Sequence, residues 1–179
     1  MQKGFTLPEV LIALFVLTIG AVGVFSLTTQ VTTRSTDSTS QLIASYLAQE
    51  GIEVVRNIRD SNLLDIHKGG SGLWIDGLLD PSCLNVVKLK YEYQIEAMDT
   101  SFSCDVGAFL KRDSSGYGYS TGEKTIFKRK VVIEPDSNPD IIEVDVEVSW
   151  DEDGIPRSVT VSSILYNWFS PALTPTPTP

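Results

Sequence analysis

Residues 10–27 contain no charged side chain, and that run constrains the fold more than any other feature of the chain. At about 1.5 Å per residue its eighteen residues make a helix roughly 27 Å long, close to the hydrocarbon thickness of a bilayer. The direct reading is one membrane-spanning helix. A cleaved secretory signal would have a shorter apolar core followed by small residues at an A-x-A-like cut, which Gly23-Val24-Phe25-Ser26 fits poorly. An ordinary signal anchor gives no reason for Glu9 at the helix entrance. A carboxylate inside a membrane helix costs about 2.5 to 3.5 kcal/mol near the centre and less toward the interface, so Glu9 is expected to have a partner.

The residues before this run make a pattern of their own: Lys3-Gly4-Phe5-Thr6-Leu7, one further residue, then Glu9. The pattern resembles the processing motif of type IV pilins and of the pseudopilins of type II secretion. The resemblance implies that a prepilin peptidase cuts between Gly4 and Phe5 and that the new amino group of Phe5 is methylated. It implies that Glu9 neutralises the N-terminal amine of a neighbouring subunit during assembly. A carboxylate and an ammonium leaving water together relieve each other's desolvation, and either alone is expensive. Pairing within one chain is the alternative, because Glu9 lies one helical turn from Phe5 and a helix N-terminus favours an acid. Pro8 departs from the aliphatic residue common in the family, but proline is tolerated in a first turn, where its missing N–H is unpaired anyway. Gly20 and Gly23 are the points at which the helix could bend or unwind in a filament.

The rest of the chain reads as one globular domain and a tail. Residues 28–40 are polar and rich in Ser and Thr. Helical periodicity then resumes with Ile43, Leu47, Val54 and Ile58 on one face, and Gln49, Glu50, Glu53, Arg56 and Arg59 are polar. Residues 61–82 contain Gly69-Gly70-Ser71-Gly72 and Asp80-Pro81 and read as a loop. The glycines lack the Gly-Lys-Ser/Thr ending of a nucleotide loop, and His67 has no Cys or His at ligand spacing. Alternation at period two marks strands over residues 89–97, part of 125–133, and 142–150. The last turns at Asp151-Glu152-Asp153-Gly154 into residues 157–164 as a hairpin. The apolar face Val144, Val146, Val148 needs a cover, and the second half of the helix carries a matching stripe. The expected fold is α+β: a long N-terminal helix, its first half transmembrane, packed on a C-terminal antiparallel sheet, as in pilins. Its parts are a leader (1–4), the long helix (5–60, membrane part 10–27), the sheet domain (61–169) and a Pro/Thr-rich tail (170–179) read as disordered.

Several chemistries are disfavoured. The net charge of −9 and scattered basic residues speak against direct nucleic-acid binding. Asp151, Asp153 and Gly154 resemble the start of a calcium loop, but its twelfth position is Ser162 rather than glutamate. No nucleophile–base pair, carboxylate dyad or metal set can be singled out, so neither catalytic residues, a metal nor a cofactor is expected. Cys83 and Cys104, two cysteines in an exported chain, are expected to form one disulfide, with two reduced thiols as the alternative.

The expected function is that of a structural subunit, a minor pilin or pseudopilin. The preference for minor rests on Pro8-Glu9-Val10 and on a C-terminal hairpin resembling that of minor pilins. The partners implied are other pilin subunits, a prepilin peptidase, a membrane platform and an assembly ATPase. The protein would sit in the cytoplasmic membrane before assembly and in an extracellular or periplasmic filament afterwards. A major pilin and a monomeric, membrane-anchored binding domain are the alternatives.

Overall fold

The computed structural model describes Gly4, residues 6–96 and residues 102–169, with the helix backbone alone over residues 29–37. Phe5 and the tail after residue 169 lie outside the described residues. The chain divides into two units, residues 1–41 and 42–179. Helix α1 (Leu7–His67) begins in the first and ends in the second, and it is assigned as helix through both Gly20 and Gly23.

In the second unit, α1 covers one face of an antiparallel sheet. The central strand is β6 (Glu123–Pro135), and β7 (Ile141–Glu152) lies along one of its edges from Lys128↔Ser149 to Pro135↔Ile142. The other edge of β6 is shared by two strands: β2 (Lys90–Ile95) pairs near Val131 and Ile133, and β4 (Phe109–Arg112) pairs near Glu123 and Lys128. Short strands extend these: β1 (Leu84–Asn85) and β3 (Phe102–Ser103) on β2, and β5 (Tyr117–Gly118) on β4. β8 (Ile155–Tyr166) closes the β7 side in a register of twelve pairs.

The β7–β8 hairpin follows from local chemistry. Its last pair is Glu152↔Ile155, which leaves a two-residue loop of Asp153 (φ 54°) and Gly154 (φ 79°). Positive φ at both positions is what a type I′ turn demands, and Asp-Gly is a favoured pair for it. Alternation along β7 then sends Ile142, Val144, Val146, Val148 and Trp150 into the core, all buried.

The cover is the small-residue side of α1. Ala44, Ala48 and Val55 are fully buried, and Gly51 sits so close to β7 that an added Cβ would stand 2.8 Å from Val146 Cγ1. Glycine here sets the distance between helix and sheet.

The helix runs seven residues past the expected end at 60. Leu63 is buried, and the Asn62 amide donates to the carbonyls of Trp74 (3.2 Å) and Asp76 (2.8 Å), tying the extra turns to the following loop. It stops at the glycine cluster. Gly70 N–H donates to Asp65 O and Gly69 N–H to Ile66 O, both at 3.0 Å, with Gly69 at φ 94°. Those crossed bonds are a Schellman ending. His67 is thus the last helical residue rather than part of a loop, and its ring meets Phe169 edge-on at 5.1 Å.

Cys83 and Cys104 are joined by a disulfide that links a 3-10 turn (Pro81–Cys83) to the segment after β3, with Cα atoms 4.8 Å apart. Nearby, buried Tyr93 accepts from Asp80 N–H (2.8 Å) and donates to Leu78 O (2.7 Å), and burial pushes its phenol up to about 12.

Candidate functional site

The N-terminal segment carries the residues singled out from sequence. Thr6 stands just before α1, and its carbonyl accepts from the N–H groups of Glu9 (3.1 Å) and Val10 (3.2 Å). The Glu9 carboxylate reaches back to accept from Thr6 N–H at 3.5 Å. That return contact is one half of a capping box, which Thr6-x-x-Glu9 spells in sequence. Glu9 therefore holds the first turn while its side chain stays exposed, four residues after Phe5 in the sequence. Pro8 lies within this first turn, where the helix starts without interruption.

Beyond it, residues Leu7–Thr28 form a 22-residue span of mean hydropathy 2.7. Its large side chains are exposed, among them Leu11, Phe15, Ile19 and Phe25. The span is about 33 Å long, enough to cross the hydrocarbon layer. The hydroxyls inside it do not need water: Thr18 donates to Phe15 O (2.8 Å) and Thr28 to Val24 O (3.0 Å). Satisfying polar groups within the helix is what a lipid environment requires.

In the sheet domain the structure brings together residues that sequence reasoning left apart. Arg129, with a side chain 0% exposed, donates to Glu50 Oε2 on α1 at 2.6 Å. It also donates to Leu47 O (3.2 Å) and to Ile95 O on β2 (2.7 Å). Its flanking Lys128 and Lys130 suggest a solvated basic run. The phase of β6 is the signal that was missed, because Phe127, Val131 and Ile133 point inward and Arg129 shares their parity. Among the described residues no three His, Cys, Asp or Glu side chains gather as a metal site.

Residues 1–25 match the family described as the prokaryotic N-terminal methylation motif. Neither a curated protein nor a solved structure matches the chain. The match, the apolar helix that begins within it and the sheet domain after it define the class: a membrane-anchored precursor of α+β, pilin-like fold that carries an N-terminal methylation motif. More particularly, the N-terminal motif supports a type IV pilin-like precursor of the kind that a prepilin peptidase processes, which points to a structural subunit.

Proposed function

We propose that the chain is a subunit of a type IV pilus-like or type II secretion-like filament, a minor pilin or pseudopilin, stored in the cytoplasmic membrane and assembled after processing. The observation that carries this is the methylation motif matched over residues 1–25, which takes in most of the exposed apolar span Leu7–Thr28. Cleavage between Gly4 and Phe5 removes Lys3 and leaves the apolar helix on the mature protein, the reverse of secretory processing. Methylated Phe5 then supplies an amine, and Glu9 supplies the carboxylate that pairs with it on a neighbouring subunit. Apolar helices pack in the filament core, since a span of this kind has to be covered by lipid or by other helices. Other pilin subunits, the peptidase and a membrane platform are the partners, and the filament is extracellular or periplasmic.

The test is Glu9→Ala in the native host. The variant should still lose its leader and stay in the membrane, while its share in sheared filament material collapses. Unchanged incorporation would remove the assembly role of Glu9. A wild-type protein confined to the membrane would favour the anchored binding domain instead. A repeating, major subunit is the second reading, and the charge pattern described next favours it.

A further inference from the structure

The solvent face of the sheet is electrically polar along β6. At the start of the strand Lys124 stands directly opposite Lys111 of β4, and Lys128 stands opposite Phe109. The ammonium groups of Lys124 and Lys128 lie 3.9 and 4.5 Å from the centre of the Phe109 ring, and Lys111 Nζ donates to Ser120 O. None of these three lysines makes an ion pair with a described residue, and Glu123, opposite Arg112, is the acid in register at this end. In the middle of the face Lys130 is neutralised by Glu147 at 3.0 Å. At the far end the sign reverses: Glu134 stands opposite Glu143 of β7, and with Asp136 they line an open concavity of about 390 Å³. Lys90, 2.5 Å from Glu134, is the cation there.

Like charges directly opposite each other on a sheet face are destabilising. This face carries such a pair at each end, of opposite sign, about 33 Å apart at 3.3 Å per residue over the ten residues from Lys124 to Glu134. Basic residues that look scattered in sequence are thus collected by the register of β4 and β6. A polyanion such as nucleic acid suits the whole molecule badly, because the net charge is −9.

We infer that the basic end (Lys111, Lys124, Lys128) docks on the acidic end (Glu134, Asp136, Glu143) of a second copy of this chain. Two unlike patches on one face can close as a two-fold dimer or run head-to-tail; the filament setting calls for the second, and a head-to-tail contact that does not close on itself propagates a linear assembly. It gives the lysine pair a counter-charge and adds a second cation, beside Lys90, to the Glu134–Glu143 pair. The inference rests on the filament reading for its biological setting and favours a repeating subunit over a sparse one.

The test uses the full chain in its native envelope. Two variants, Lys124→Cys and Glu143→Cys, are expressed together and treated with a bismaleimide; the native cysteines are bonded to each other and do not react. The expected result is a cross-linked dimer only when both variants are present, with a yield that falls as salt is raised. Reversing Lys111 and Lys128 to Glu in the Lys124→Cys chain should abolish cross-linking. Adding Glu134→Lys and Asp136→Lys to the Glu143→Cys chain should restore it. Filaments that form without the cross-link would overturn the contact and leave the filament reading standing. A cross-link in a protein that never appears in sheared material would support the contact and sink the filament reading.

Discussion

The Arg129 guanidinium on β6 and the Glu50 carboxylate on α1 meet at 2.6 Å beneath a helix that hides the arginine completely and leaves the glutamate side chain 41% exposed. One side chain thereby ties three elements, since Arg129 also holds Leu47 O of α1 and Ile95 O of β2. The pair pins the helix to the sheet at one register.

Removing Arg129 should accordingly cost more than removing Glu50. Arg129→Ala strands two carbonyls and a carboxylate and opens a cavity, for a loss of about 3 kcal/mol or more. Glu50→Gln keeps a hydrogen-bonding partner at a half-open position, so the loss should be about 2 kcal/mol. Urea unfolding of the detergent-solubilised chain measures both, and an order reversed from this one would show that the arginine is not the anchor.

Gly51 should resist even a methyl group. Alanine would add about 1 kcal/mol of intrinsic helix propensity. The 2.8 Å approach to Val146 Cγ1 opposes that gain and should outweigh it, giving a net loss of about 1 to 2 kcal/mol. Gly51→Ala combined with Val146→Ala should lose less than the sum of the single variants, and strict additivity would mean that the two residues do not touch.

Tyr93 makes stability sensitive to alkali. Its phenol is raised from the ordinary 10.0 to about 12, chiefly because it is buried. Below pH 10 it is protonated in both folded and unfolded chains, and its contribution is complete. Between about pH 10 and 12 the unfolded phenol gives up its proton first, so stability falls as pH rises. Tyr93→Phe should be less stable at neutral pH, having lost bonds to Leu78 and Asp80, yet should show a shallower alkaline decline. Equal declines in the two proteins would assign the effect to another group.

The disulfide between Cys83 and Cys104 closes a loop of 21 residues in sequence separation. Replacing both cysteines with serine should lower stability by about 3 kcal/mol through the unfolded chain's restored freedom. Thermal unfolding with and without reductant checks this; a reductant-insensitive midpoint would show that the bridge contributes little.

How far the residues disclose this structure depends on whether the controlling interaction is local. The membrane span, the Asp153-Gly154 turn and the alternation of β7 are all near-neighbour effects and could be read directly. The end of α1 was misplaced because Asn62 and Leu63 depend on Trp74 and Asp76, across a loop. The four residues of β4 were missed because Phe109–Arg112 is too short to show a period. Arg129 was hidden by its charged neighbours, and the lysine patch by a pairing between residues 111 and 124 that only the sheet register creates.

The most direct test of the account is the intact mass and N-terminal sequence of the protein recovered from sheared cell-surface material. The account predicts a chain that begins at methylated Phe5, lacks residues 1–4 and is present in that fraction. A chain that still begins at Met1 and is found only in membranes would contradict it.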